Sequence, residues 1–408
     1  MAATNKGVWD VQEVRDKQLA SEWPYVGGPS ERTALWVWGY GEQGKLGTNV
    51  SFAQLSSPVQ VPGIWTNVAF GQQQGYGIKS NGTMWAMGQD SDNGELGQNE
   101  TPGASKSSPT QIGTNTNWKS TVSADSAVLA VKTDGTIWAW GDNEHGMLAQ
   151  NEGGTGSGLD CRSSPTQIGA NTTWSSDVKH LSGGYRTFLT IKTDGTLWGW
   201  GFHGYGQLGL NEAWGTGSRS SPTQVGTQRT WNCVDTASNS TIATKTDGTL
   251  WAFGYATEGA LGLNTQGPSG SRSSPTQIGT DTDWSIARTG RYVGYALKTD
   301  GSLFSWGKNE RGQLGQGDRS ALSSPTQIPG TWFWMESGYS HAFGQKTDGT
   351  LWGWGHNDKG QLGQNNFQPG DGGYSSPVQI PGTDWNIKAI ALSGGIDPKV
   401  GAGMRMPS

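Results

Sequence analysis

A WxWG-like step recurs seven times along this 408-residue chain, and that repetition leaves it few folds. The copies run Trp36 to Gly39, Trp85 to Gly88, Trp138 to Gly141, Trp198 to Gly201, Trp251 to Gly254, Phe304 to Gly307 and Trp352 to Gly355. A second motif, SSPxQ, also occurs seven times, with its proline at Pro58, Pro109, Pro165, Pro222, Pro275, Pro325 and Pro377. Successive steps lie 48 to 60 residues apart, close to the length of one four-stranded propeller blade. A solenoid needs no fixed number of units, whereas seven is a usual closure for a propeller. The expectation is an all-β fold: a seven-bladed β-propeller of four-stranded blades over residues 31–408.

The unit explains most of the unusual composition. Within the unit Val178 to Gly201, the alternation in TFLTIKTDGTLWGW, Thr187 to Trp200, predicts two antiparallel strands joined by an Asp-Gly turn. Asp134, Asp194, Asp247, Asp300 and Asp348, with Asn81, are therefore turn residues rather than a carboxylate site. Alternation in TLWGW puts the two Trp rings on one face, where they fill the space between neighbouring blades. Trp65, Trp118, Trp174, Trp231, Trp284 and Trp385, with Trp332 or Trp334, form a second ring of packing residues. The SSPxQ proline lacks a donor and fits an outer edge strand.

The two ends are incomplete in complementary ways. No KTDG hairpin precedes Trp36, and after Trp385 the tail supplies strands without a following WxWG. The C-terminal strands are expected to pair with the N-terminal one and close a composite blade, which removes exposed edges.

Several function classes drop out. A formal charge of -5 and a pI near 5.6 give no footprint for nucleic acid, whose binding needs clustered Lys and Arg. Cys161 and Cys233 have no paired or metal-type spacing and read as free thiols. No apolar run is long enough for a membrane span, and the first residues lack a secretory pattern, so the expectation is synthesis in a cytoplasm. His145, His203 and His356 follow WG steps at unequal offsets, so no metal site is expected. No catalytic or cofactor motif stands in working context, and no carboxylate pair outside the turns supports glycoside hydrolysis. The chain is expected to bind or build rather than catalyse.

The run GYSHAFGQKTDGTLWGWGHNDKGQLGQN, Gly338 to Asn365, resembles the repeat of the regulator of chromosome condensation family, and similar units cover roughly residues 31–403. The resemblance implies a seven-bladed propeller. It also brings the founding member's activities, nucleotide exchange on a small GTPase and chromatin binding, and relatives that are ubiquitin ligase modules or photoreceptors. Departures weaken the transfer of activity, since fold alone does not carry function. The family's repeat His survives only as His341, a basic N-terminal tail is missing, and no wedge for a GTPase is inserted. The Trp-rich KTDGTLWGWG variant is similar to versions in bacteria and their phages.

Residues 1–30 lie outside the repeat. Asp10 as N-cap with Glu13 three residues on, then Val11, Val14 and Leu19, predict a short helix that Pro24 stops. This segment resembles an N-terminal motif of virion-associated phage proteins. Val8, Trp9, Val11, Val14, Leu19 and Trp23 are the docking residues it implies. Variable loops between GxLG and SSPxQ should share one face, and Trp214, Phe367 and Tyr374 are their candidate binding rings. The leading functional expectation is a virion structural or adhesive protein, present in multiple copies, that meets scaffold subunits through residues 1–30 and a host surface glycan or protein through its loops. The competing one is a cytoplasmic protein-interaction module, an exchange factor included.

Overall fold

The computed structural model describes residues 34–405 apart from 101, 102, 104, 153–159, 216, 389 and 393–398. The predicted N-terminal helix and its docking residues, Val8 to Trp23, lie outside these. Among the described residues the chain is all-β, with only three-residue 3-10 turns besides strands.

Five self-contained sheets each hold four antiparallel strands in sequence order. One, for example, consists of Trp231–Thr236, Ser240–Lys245, Leu250–Gly254 and Arg272–Ile278. Each sheet is named here by the Trp that opens it: Trp118, Trp174, Trp231, Trp284 and Trp332. The Trp174 sheet is the irregular one. Its inner strand is only Leu181–Gly183, preceded by a 3-10 turn at Val178–His180.

The remaining strands form one eight-stranded sheet around the long strand Gln54–Phe70. The last part of that strand, from Trp65, pairs with Gln74–Lys79 and begins an ordinary four-stranded set. Its first part pairs with Ala34–Tyr40, whose other edge pairs with Val400–Arg405. Trp385–Asn386 completes this second set by pairing with Val400–Arg405. The N- and C-terminal strands are thus neighbours in one sheet.

Each motif residue has a mechanical duty. In the Trp118 sheet, Asp134 Oδ1 accepts hydrogen bonds from the Thr136 amide and hydroxyl, and Thr136 Oγ1 accepts from the Trp138 indole at 2.9 Å. The same relay runs from Asp194, Asp247, Asp348 and Asn81. Gly135 must be glycine there: its φ is +77°, and a Cβ would meet the Thr172 carbonyl oxygen at 2.0 Å. The SSPxQ strands pair on one side only, and their proline sits within an irregularity of that pairing, as an outer edge requires.

The second Trp of the step staples one sheet to the preceding one. Trp140 donates to the Glu95 carbonyl, Trp200 to Met147, Trp306 to Ala260, Trp354 to Gln313 and Trp38 to Gln361. The first Trp does something the sequence reading missed. With the ring Trp it sandwiches the Lys of KTDGT: Lys132 Nζ lies 4.6 Å from Trp118 and 3.8 Å from Trp138. Lys79, Lys192, Lys245, Lys298 and Lys346 are held likewise, with Phe304 replacing one Trp at Lys298. Arg405 takes that place between Trp385 and Trp36. Such cation–π contacts contribute about 0.5–2 kcal/mol each. Burial lowers the pKa of Lys79, Lys132, Lys192 and Lys245. The structure also settles the seventh ring position: Trp332, not Trp334, stacks on its sheet's lysine.

Candidate functional site

Strand polarity gives the sheets two unlike ends. One carries the KTDGT hairpins, and the other carries the turns between first and second strands together with the loops that follow WG. On the loop end an aromatic strip crosses three sheets. His145 lies 4.8 Å from Phe202, Phe202 5.8 Å from Tyr205, and Tyr205 5.3 Å from Tyr255. Trp214 closes the cluster edge-on, 6.5 Å from Tyr205 and 5.8 Å from Tyr255. Trp214 is 44% exposed and Tyr205 37%, unusual for large rings already packed on one another.

The repeat does not require this strip. His145 and Tyr205 occupy the position just before GxLG, where the other units carry Gln43, Asn93, Glu258, Arg311 and Lys359. Phe202 and Tyr255 share another position, and Trp214 sits in a loop of its own. Of the predicted loop rings, Trp214 joins this cluster. Phe367 is exposed on the loop of the Trp332 sheet, in a different part of the face. Tyr374 is a correction, because it does have a packing duty: it is half-buried against the core, and its hydroxyl accepts from Asn366.

The histidines are absorbed by local contacts. Arg186 donates to His145 Nε2, and the Leu208 amide donates to His203 Nδ1. His356 Nε2 lies 3.0 Å from the Gly370 carbonyl oxygen. His341 Nε2 donates to the Val400 carbonyl at 2.9 Å, tying the Trp332 sheet to the C-terminal strand, and burial pushes its pKa down to about 4. Cys161 and Cys233 are free thiols.

A channel lined by inner strands holds a charge cluster the sequence reading did not find. Asp235, Arg288 and Glu336 each stand four residues after a ring Trp, on three successive sheets, and share with Val122, Leu181, Ile390 and Leu392 the lining of a narrow space of about 20 Å³. Arg288 Nε donates to Glu336 Oε1 at 2.9 Å. Glu336 also accepts from the Trp334 indole, and Asp235 accepts from the Ser182 hydroxyl and the Thr289 amide. Burial raises the pKa of Asp235 and pushes Glu336 up to about 7, against the pull of Arg288. This is a carboxylate pair outside the turns, contrary to the sequence reading. Its guanidinium neighbour and its hydrogen bonds make it a structural network, of the kind that is costly to break by halves.

Residues 194–240, 300–344 and 348–396 match the model of the regulator of chromosome condensation repeat. The chain carries RCC1 repeats. Each matched segment takes in the Asp of a KTDG turn, a WG step with its inter-sheet Trp staple and the outer strand that follows.

Among similar proteins, the regulator of chromosome condensation of Xenopus laevis is 25% identical over 73% of this chain and 72% of its own length. The ultraviolet-B receptor UVR8 of Arabidopsis thaliana is 27% identical over 71% of this chain and 64% of its own length. The probable ubiquitin ligase HERC4 of Mus musculus is 30% identical over half of this chain, which spans 19% of that protein. Two solved structures share the fold at a TM-score of 0.75. Human WBSCR16 is 16% identical, covering 92% of this chain and 99% of its own. Prp20p of Saccharomyces cerevisiae, described with its binding properties to Gsp1p and histones, is 18% identical, covering 99% and 97%.

Proposed function

We propose that this chain is a non-enzymatic protein-interaction propeller of seven blades, closed by its N- and C-terminal strands, that takes a protein partner on its loop end. Seven ring Trp residues, each with its stacked cation, support the blade count. The Trp38 staple to Gln361 and the His341 bond to Val400 support closure, because both join the terminal strands to the Trp332 sheet. The observation that carries the binding reading is the exposed strip around Trp214. Rigid aromatic rings presented on a fixed scaffold are the residue types that dominate protein interfaces. Prp20p's binding to Gsp1p and histones makes a protein the expected kind of partner.

Residues 1–30 belong to this reading as a docking segment ahead of the propeller at 31–408. The virion and glycan readings gain nothing from the relatives named above and rest on that segment and the loop rings alone.

The test compares tagged parent protein with Trp214→Ala and Tyr205→Ala in its own cells, by quantitative affinity mass spectrometry. At least one partner should be lost from both variants, and the purified pair should then bind about 30-fold more weakly, the scale of a hot-spot ring. Partner sets unchanged in both variants, with melting unaltered, would sink the strip as the binding site.

A further inference from the structure

In a chain built of near-identical units, the places where one unit departs from the others are where something besides the fold has shaped the sequence. The junction between the Trp174 and Trp231 sheets, at the hairpin end opposite the aromatic strip, departs twice. The first departure is an insertion. From ring Trp to the channel-lining residue is four positions in Trp118 to Val122, Trp231 to Asp235, Trp284 to Arg288 and Trp332 to Glu336, but eight in Trp174 to Ser182. Strand register fixes its location. Trp174 pairs with Lys192 and Leu181 with Thr190, as Trp231 pairs with Lys245 and Val234 with Ala243. Four extra residues therefore lie between Trp174 and Leu181, and they form the 3-10 turn Val178–His180, capped by the Asp177 side chain.

The second departure is Arg229. Two residues before the ring Trp, the other six units carry Gly63, Thr116, Thr172, Thr282, Gly330 and Thr383. Only this one carries a charge. The two departures converge on one open cavity of about 360 Å³ whose wall holds Lys179, His180, Lys192 and Arg229.

The wall is cationic in a chain whose formal charge is -5. Asp194 is its one carboxylate, 3.3 Å from Arg229. Lys179 Nζ bonds to Asn232 Oδ1 at 3.0 Å and lies 4.0 Å from Asp177, just outside the cavity wall. Lys192 is fixed over the Trp174 and Trp198 rings. His180 Nδ1 lies 2.7 Å from Ser175 Oγ, and the Asn232 backbone is its second hydrogen-bond partner. The Trp231 indole N–H, like that of the other six ring Trp residues, has no acceptor among the described residues, and Ile191 and Trp231 lie buried behind the cavity wall.

We infer that this cavity is a binding site for a small phosphate monoester. Lys179, Lys192 and Arg229 take the dianion, and the ester group lies toward Ile191 and Trp231. Three cations against the two carboxylates of Asp194 and Asp177 leave a net positive site, which suits a phosphate because charge-assisted bonds to phosphate accept several donors at once. The space beyond one phosphate calls for an organic group on it.

The experiment is a titration of the full chain with phenyl phosphate in 150 mM sodium chloride, which screens diffuse charge effects, read on the Trp231 indole resonance. Phenyl phosphate should shift that resonance saturably and phenol should not. Arg229→Thr, the residue of the sister repeats, and Lys179→Ala should each weaken binding about tenfold, the scale of one charge-assisted contact. Arg319→Ala, an exposed charge in another sheet, should leave binding unchanged. A linear, non-saturating shift overturns the inference, as does an equal response to phenol or parent-like binding by both Arg229→Thr and Lys179→Ala.

Discussion

Cutting the chain after Lys399 removes the strand that joins its two ends. Val400–Arg405 pairs with Ala34–Gly39 along its whole length and with Trp385–Asn386 on its other edge. Val400, Ala402 and Met404 are all at most 1% exposed. Burying a Val or Met side chain stabilises by about 1.5–3 kcal/mol and a methyl group by about 0.8, so these three alone supply about 5 kcal/mol. The cut also takes the acceptor from His341 and uncovers the Trp38 ring, against which Gly401 packs so closely that a Cβ would lie 1.9 Å from its indole nitrogen. Whole domains hold only about 5–15 kcal/mol in reserve. Truncation should therefore abolish the cooperative melt followed by near-UV circular dichroism, where the 22 Trp residues report. Two full-length variants grade the effect: Met404→Ala should cost about 2–5 kcal/mol, and Gly401→Val should cost at least as much by driving into Trp38. A truncated protein that melts cooperatively at the parent midpoint would refute the closing role of this strand.

The Asx relay gives a prediction with an internal control. Asp247→Ala should cost about 1–2 kcal/mol in denaturant unfolding, since it leaves the Thr249 and Trp251 donors without their chain of acceptors, whereas Asp247→Asn should be nearly neutral because Asn81 already fills that role. Hydrogen bonds from Thr249 hold the Asp247 carboxyl below its ordinary pKa, so its contribution is present above about pH 4 and lost as pH falls; an acid sensitivity unchanged in Asp247→Ala would contradict this. Two buried groups should show opposite slopes. Glu336, raised to about 7, favours the fold below its ordinary pKa and loses that contribution as pH rises to 7, while His341, lowered to about 4, loses its own as pH falls from about 6.5. As pH falls from 7 to 5, stability should therefore fall in Glu336→Gln and rise in His341→Asn; slopes of the same sign would overturn the assignment.

What could be read in the sequence is what repeats. WxWG and SSPxQ placed the third and fourth strands of every sheet because each motif residue answers a local need: a turn, an edge, or a ring between sheets. The lysine of KTDGT was equally visible and was passed over, because a lysine beside a turn reads as solvated until the ring Trp, some 14 residues upstream, is brought against it. The Asp235, Arg288 and Glu336 cluster was hidden for another reason. Each residue sits at the same offset from its ring Trp, but the register that turns this offset toward the channel comes from pairing with the second strand. Tyr374 was misjudged because whether a ring at the start of an outer strand packs inward depends on the loop before it.

The aromatic strip and the cationic cavity follow the same logic on opposite ends of the molecule. Both draw on positions that vary among the units: Arg229 stands where six units carry Gly or Thr, His145 and Tyr205 where five carry a polar or charged residue, and Phe202 and Tyr255 where the others carry Tyr40, Gln89, Asp142, Lys308 and His356. A scaffold held by repeated copies of one set of contacts can tolerate such substitutions, because the Trp staple recurs in five places and one changed loop leaves the others intact. That tolerance also means a substitution at these positions should spare stability and alter only binding. Trp214→Ala and Arg229→Thr should therefore melt like the parent, while Met404→Ala and Asp247→Ala should not. The separation of these two classes by stability alone is the property that distinguishes a binding surface from a packing one in this fold.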